Sequence, residues 1–162
     1  MDDLKVHKPF SPKKILVPVD FSRCSGSAFQ HALALAGSFQ ARLTLLHVVE
    51  PAAHVDNYVT VEGGGESLNQ NLVEMARERL EQFVRGIAGE EDGIDSLVRI
   101  GRAHSEISDT AQALGSELIV VGTCGRNGGK PTSLGSTVEW VVCHASCPVL
   151  TVRCPVACPP EH

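Results

Sequence analysis

Five short runs of aliphatic and β-branched residues alternate with longer stretches of helical periodicity, and this alternation limits the folds open to the chain. The runs predict strands at residues 15–19, 42–49, 96–100, 117–121 and 148–152. Most of them are apolar on both faces, which is typical of strands covered by helices on either side. Strands separated by helices are the pattern of βαβ units. The sequence therefore predicts an α/β domain with an open, five-stranded parallel sheet.

Four segments between these strands carry apolar residues at helical spacing, as expected of helices that pack one face on a sheet. The four stripes comprise Ala28, Ala32, Leu35 and Ala36; Leu72, Ala76, Leu80, Phe83 and Ile87; Ile107, Ala111 and Leu114; and Val138, Val141 and Val142. The stretch from Pro51 to Gly65 shows no such period and is predicted as a mobile loop over one edge.

The 162 residues are enough for one domain with a sizeable core. We assign residues 1–12 to an N-terminal extension, because they carry prolines and little that could be buried. Residues 13–153 form the predicted domain. The proline- and cysteine-containing residues 154–162 form a C-terminal tail.

Charge and hydropathy exclude several classes of function. Nineteen acidic against fourteen basic residues give a net charge of −5, which disfavours binding to nucleic acid. No export signal and no apolar stretch of membrane-spanning length is found, so we expect a cytoplasmic protein without a membrane partner. We expect the six cysteines to remain thiols.

The segment that follows the fourth strand is rich in glycine and leads into the last helix. Gly122, Gly125 and Gly135 would let backbone N–H groups approach an anion, and Ser136 would stand at the positive end of the helix. A flexible turn followed by a serine N-cap explains the same residues. The Walker pattern and the dinucleotide fingerprint are both absent from the sequence.

The spacing Gly122-x2-Gly125-x9-Gly135-Ser136 matches the nucleotide-binding signature of the ATP-binding universal stress proteins, and the chain resembles that family over nearly the whole domain. The similarity includes Lys-Ile-Leu-Val-Pro-Val-Asp at the first strand, Leu-Leu-His-Val at the second, and Gly101-x-x-His104. The resemblance implies a Rossmann-like sheet of order 3-2-1-4-5 and a site for ATP, ADP or AMP, with or without Mg²⁺. A departure is Cys124, which stands where the family often has His or Arg.

The resemblance also implies which residues contact the nucleotide. Those expected on the adenosine side are Pro18, Val19, Asp20 and Val48. Those expected around the ribose and phosphates are Gly122, Thr123, Gly125, Arg126, Gly135, Ser136, Thr137 and Val138. Without the motif, Asp20 is interpreted as a turn residue at the start of the first helix.

By this resemblance the chain is predicted to be a stress-response regulatory or interaction module that binds adenine nucleotide. One alternative is a slow ATPase or phosphate-transfer enzyme, although no carboxylate or histidine in the motif is placed to position a water. Another is a nucleotide-free interaction protein. The family implies a homodimer through the fifth strand, which would otherwise leave an unpaired edge.

The remaining histidines and cysteines predict no catalytic or metal site. His47 lies within an apolar strand and is interpreted as a hydrogen-bonded core histidine. Cys154, Cys158 and His162 could bind a metal, but they lack a fourth ligand and the usual spacing. If any thiol is sensitive to oxidants, it is predicted to be Cys124, because it lies among anion-attracting backbone groups; the favoured alternative is an ordinary thiol in a loop.

Overall fold

The computed structural model describes residues 9–51, 65–90, 93–124 and 134–154. Strands and helices alternate along these residues as the sequence predicts. The elements are β1 (Lys14–Pro18), α1 (Arg23–Phe39), β2 (Arg42–Val49), α2 (Gly65–Ala88), β3 (Ile94–Ile100), α3 (Ala103–Leu114), β4 (Leu118–Gly122), α4 (Ser136–His144) and β5 (Val149–Val152).

The strands form one parallel sheet in the order β3-β2-β1-β4-β5, which confirms the predicted order. β1 is the central strand and pairs with β2 from Lys14 opposite Arg42 to Pro18 opposite Leu46. On its other side β1 pairs with β4, where Ile15 lies opposite Leu118. The connections from β1 and β4 therefore leave in opposite directions, and the crevice between them is where open α/β sheets bind ligands.

Helices cover both faces of the sheet, and each face has its own hydrophobic core. On one face the helices α1 and α2 contribute Ala28, Phe29, Ala32 and Leu80 to a cluster with Ile15, Val17 and Val120. On the other face α3 and α4 contribute Ile107, Ala111, Val138 and Val141 to a cluster with Leu16, Leu46 and Ile119. This double cover explains why β4 and the part of β1 that follows Lys14 are apolar and buried.

Several predicted boundaries differ from the structure by one or two residues. β3 begins at Ile94, two residues before the predicted start at Ser96. The polar Asp95 hides this start in the sequence, but its carboxylate forms a 3.0 Å ion pair with Arg42 on the neighbouring strand. β1 and β4 are each shifted by one residue, and β5 starts at Val149.

The predicted stripe of α4 is wrong at one position. Val138 and Val141 are buried, whereas Val142 is 46% exposed. The two buried valines already define the inward face, and Val142 turns away from it. Leu72 of α2 is also 38% exposed, so it belongs to the rim of the core.

Two sequence predictions fall largely or wholly outside the described residues. These are the loop from Pro51 to Gly65, of which only the two end residues are described, and the sites at Gly125 and Arg126. Within the described ranges, no helix is both long and apolar enough to cross a membrane.

Candidate functional site

A cavity of about 820 Å³ opens at the carboxyl ends of β1, β2 and β4, at the position expected for a ligand site in this topology. We call it the crevice. Of the predicted site residues, those that line it are Pro18, Val19, Asp20, Val48, Gly122, Gly135, Ser136, Thr137 and Val138. Residues brought to it that the sequence did not single out as site residues include Phe21, Leu46, Glu50, Met75 and Arg79.

Asp20 has a role in the turn and a place in the crevice. One of its carboxylate oxygens accepts a hydrogen bond from the backbone N–H of Ser22, at 3.0 Å. The Ser22 hydroxyl in turn accepts from the Ser25 N–H, at 3.2 Å, and caps the start of α1. The turn therefore fixes the carboxylate at the end of β1, where it lines the crevice. The two interpretations of Asp20 are compatible.

Phe21 lines the crevice and contacts side chains of both β2 and α2. Its backbone has φ of 66°, a left-handed conformation that is unfavourable for a residue with a large side chain. In that conformation its ring lies 4.4 Å from the ring of His47. The guanidinium of Arg79 lies over the Phe21 ring, 4.4 Å from the ring centroid. Phe21 thus connects the end of β1 with the helix α2.

His47 is a core histidine, as the sequence indicates. It is buried, and its Nδ1 lies 2.8 Å from the carbonyl oxygen of Val19. Because a carbonyl only accepts, Nδ1 carries the proton and donates. This bond ties the end of β1 to β2 at the crevice, which His47 also lines.

Glu50 follows β2 and stabilises the start of α3. Its carboxylate accepts from the N–H of Ala103, at 2.8 Å. Arg102, the N-cap residue of α3, makes no side-chain capping bond, so Glu50 satisfies an N–H group that the helix leaves unpaired. The sequence analysis missed this residue because its partner lies 53 positions away.

The opposite wall of the crevice is built from backbone and from the start of α4. Gly135 is the N-cap of this helix and Ser136 its first residue. The Gly135 N–H donates to the carbonyl oxygen of Thr123, at 3.0 Å, which joins the end of β4 to the helix start. The next N–H groups of the helix have no partner within it and carry the positive end of its dipole. This wall suits an anion.

Two of the residues predicted to contact the nucleotide, Thr123 and Gly122, have structural roles in the fold. Thr123 does not line the crevice: its side chain is buried and its N–H donates to the Val152 carbonyl, at 3.0 Å. Gly122 reaches the crevice, but it is also packed against the first turn of α1. A Cβ at Gly122 would lie 2.7 Å from the carbonyl oxygen of Cys24. Glycine is therefore required there by packing, whatever the ligand.

The thiols show one close pair. Cys24 Sγ lies 3.0 Å from Cys124 Sγ. Burial raises the pKa of the Cys147 thiol. In the parts of the chain that the structure describes, no group of three or more His, Cys, Asp or Glu side chains could hold a metal ion. Of the predicted tail ligands, only Cys154 lies in those parts.

The fold and the crevice define a doubly wound α/β domain with a cavity at its switch point, where such sheets bind ligands. The Universal stress protein family matches the chain over residues 12–153, and the chain belongs to this family. Universal stress protein MJ0531 of Methanocaldococcus jannaschii is 35% identical over 145 residues, covering 88% of this chain and 83% of that protein. Universal stress protein G of Escherichia coli O157:H7 is 32% identical, over 87% of this chain and 99% of that protein.

Solved structures agree with this assignment. The structure of MJ0577, a protein of the same archaeon, has a TM-score of 0.76 at 28% identity and covers 91% of this chain and 99% of that one. The universal stress protein UspA from Lactobacillus plantarum has a TM-score of 0.70 at 31% identity, with coverage of 87% and 97%.

Proposed function

We propose that the crevice binds an adenine nucleotide, ATP or its products ADP and AMP, and that the protein acts as a regulatory or interaction module in the stress response. The observation that carries this proposal is the pairing of two unlike walls in one cavity. Apolar side chains with the carboxylates of Asp20 and Glu50 stand at the ends of β1 and β2, and the N-terminus of α4, whose first N–H groups have no partner within the helix, lines the same cavity. Adenosine suits the first wall and phosphate the second.

The described residues fit the nucleotide in size and chemistry. A cavity of about 820 Å³ lies within the range of small-molecule sites. Pro18, Val19 and Val48 offer apolar surface to a base, and Asp20 can accept from a ribose hydroxyl or an adenine amine. The proposal assigns the phosphates to the backbone of Gly135, to Ser136 and to Thr137, together with Gly125 and Arg126.

Two further relatives support the choice of ligand class. A universal stress protein has been solved in complex with cAMP, and one from Archaeoglobus fulgidus in complex with dAMP. They are 20% and 18% identical to this chain, so the likeness to each of them shows the shared fold alone. Both bound ligands are adenine nucleotides, the class that the crevice suits.

The proposed activity is binding of the nucleotide without substantial hydrolysis. Among the described residues, the two carboxylates that line the crevice are those of Asp20 and Glu50, and each accepts a hydrogen bond from a backbone N–H near the start of α1 or α3. A water attacking a phosphate needs a group free to orient it, and Mg²⁺, if it accompanies the nucleotide, would be held chiefly by phosphate oxygens. A bound nucleotide would then act by favouring one arrangement of the surrounding surface.

Mass spectrometry of the small molecules released from freshly purified, denatured protein tests the proposal directly. We expect an adenine nucleotide, and calorimetric titration of the emptied protein should show binding of ATP. The variant Gly125→Val should abolish that binding while leaving the melting temperature nearly unchanged, since a branched side chain would stand where backbone must approach phosphate. Unchanged ATP affinity in a folded Gly125→Val variant would refute the site.

The proposal includes a homodimer that pairs β5 across a two-fold axis. β5 is an edge strand of the sheet, and Leu150 on it is 40% exposed. An edge of this kind exposes unpaired backbone groups unless another chain covers it. Light scattering should give the mass of a dimer at micromolar concentration, and Leu150→Glu should shift it towards the monomer. A monomeric wild-type protein would contradict this part.

The domain limits and the location of the protein are part of the same proposal. Residues 13–153 form the nucleotide-binding domain, and the sequence predicts that the first twelve residues are dispensable for the fold. The side chain of Pro12 is fully buried, however, so we expect only the residues before Pro12 to be dispensable. The free thiols of Cys124, Cys143, Cys147 and Cys154 fit a reducing compartment, which supports the cytoplasm.

A further inference from the structure

We propose that Cys24 and Cys124 are a redox-active dithiol, which a hydroperoxide oxidises to a reversible disulfide. The two sulfur atoms lie 3.0 Å apart although the residues are 100 positions apart in the chain. A disulfide bond has a sulfur–sulfur distance of about 2.05 Å, so the sulfurs must approach by about 1 Å. This inference does not depend on what the crevice binds.

Cys24 and Cys124 are both positioned by regular secondary structure. Cys24 is the second residue of α1, whose start is fixed by the Ser22 cap. Cys124 follows the end of β4 by two residues, and at Gly122 the strand approaches so closely that a Cβ there would lie 3.0 Å from the Cβ of Cys24. Gly122 and Cys24 therefore lie on two backbone segments that are in direct contact. Cys124 follows Gly122 by two residues, and its sulfur lies 3.0 Å from that of Cys24.

The two thiols differ in access, and this difference gives them separate roles. Cys24 is fully buried, whereas Cys124 is partly exposed and lines the crevice. A small oxidant reaches Cys124 first. Cys24 lies behind it, positioned to react with the oxidised sulfur before a second oxidant molecule arrives.

The chemistry balances with a hydroperoxide as the oxidant. The Cys124 thiolate attacks one peroxide oxygen, the oxygen–oxygen bond breaks, and the products are a sulfenic acid and water, or an alcohol from an organic peroxide. The Cys24 thiol then attacks the sulfenic sulfur, the sulfur–oxygen bond breaks, and a second water leaves. Two thiols are oxidised, one peroxide is reduced, and a thiol reductant reverses the bond.

The disulfide would tie the first turn of α1 to the segment that follows β4, at the wall of the crevice. Both elements also border the crevice, since Ser25 of α1 and Cys124 line it. A change in the oxidation state of the pair would therefore act on the wall of the crevice, where a ligand would also bind. Disulfides of this transient kind are the ones expected in a reducing compartment.

Peptide mapping of the intact protein tests the inference. The fully reduced protein is treated with a small excess of hydrogen peroxide, quenched with N-ethylmaleimide and digested without reductant. We expect a peptide that joins Cys24 to Cys124, lighter by two hydrogen atoms than its parts, and lost after dithiothreitol. The oxidised protein should also melt several degrees higher than the reduced protein, because the bond closes a long loop.

Three variants provide the controls. Cys24→Ala should leave a sulfenic acid at Cys124 that dimedone traps, and Cys124→Ala should abolish both the linked peptide and the shift in melting temperature. Cys143→Ala, at an exposed position of α4, should leave both unchanged. A wild-type Cys124 that stays reduced, proceeds to sulfinic acid, or pairs with a different cysteine would overturn the inference. None of these readouts requires nucleotide.

Discussion

Gly122, the last residue of β4, lies against the backbone of Cys24 in the first turn of α1, and a Cβ added to Gly122 would come within 2.7 Å of both the carbonyl carbon and oxygen of Cys24. No side chain fits in such a gap without a shift of the helix or the strand. A glycine that a nucleotide-binding motif explains is thus also required by the packing of α1 on the sheet. Binding and stability can be separated by experiment at this position.

Gly122→Ala should lower the free energy of unfolding by about 1–3 kcal/mol, because the added methyl group overpacks a contact between two backbones. Gly37→Ala is the matched control. Gly37 lies in the interior of α1 with nothing near its absent Cβ, so alanine there should stabilise the protein by up to about 1 kcal/mol. Urea denaturation measures both. A Gly122→Ala protein as stable as the wild type would show that the contact relaxes freely.

The alternation of apolar runs with helical stripes was enough to predict the sheet and its flanking helices, because double burial leaves a strong sequence signal. The order of the strands came from the resemblance and is confirmed. The boundaries at β3 and the exposure of Val142 were not predictable in the same way. They depend on the Arg42–Asp95 pair and on which valines of α4 reach the sheet.

The site was predictable where its residues follow a strand directly, as Asp20 and Gly122 do. It was not predictable where residues meet across the fold. Phe21 and Arg79 come together only when α2 lies over the end of β1, and Cys24 meets Cys124 only in the assembled sheet. Neither pair has a spacing in the sequence that signals contact.

The raised pKa of Cys147 predicts a difference in thiol reactivity within one molecule. Burial favours the neutral thiol, so the pKa of Cys147 lies above the ordinary 9.0. At pH 8 the exposed Cys143 should therefore be alkylated faster than Cys147, and the rate at Cys147 should still be rising above pH 9. The contribution of the neutral thiol to stability is complete below the ordinary pKa and is lost as the pH rises through the folded-state value. Equal alkylation rates at pH 8, followed by mass spectrometry, would contradict the assignment.

Bound ATP should slow the alkylation of Cys124 under reducing conditions, since Cys124 lines the crevice that we assign to the nucleotide. Cys143 lies on the exposed side of α4 and serves as the internal control. Its alkylation rate should not change. Time courses with iodoacetamide, read by mass spectrometry with and without ATP, give both rates from one sample. Protection of both thiols to the same degree would indicate a general effect on the fold instead of occupancy of the crevice.

Ser136→Ala tests whether the start of α4 binds phosphate. Ser136 is exposed, lines the crevice and makes no side-chain bond that caps its helix, so its removal should leave the melting temperature nearly unchanged. If the hydroxyl donates to a phosphate, losing that bond costs about 1.5–3 kcal/mol, which is roughly tenfold to a hundredfold in affinity for ATP. Affinity for adenosine, which has no phosphate, should change little.

The control for this variant is Ser146→Ala, an exposed serine between α4 and β5 that does not line the crevice. It should bind ATP and adenosine as the wild type does. Calorimetric titration of the wild type and both variants with ATP and with adenosine measures the affinities. The expected result is a loss of affinity for ATP, but not for adenosine, in Ser136→Ala alone. An equal loss for ATP and adenosine in Ser136→Ala would place the serine beside the nucleoside. No loss for either ligand would remove the Ser136 hydroxyl from the site and would leave phosphate binding at the helix start to the backbone N–H groups, which the substitution keeps.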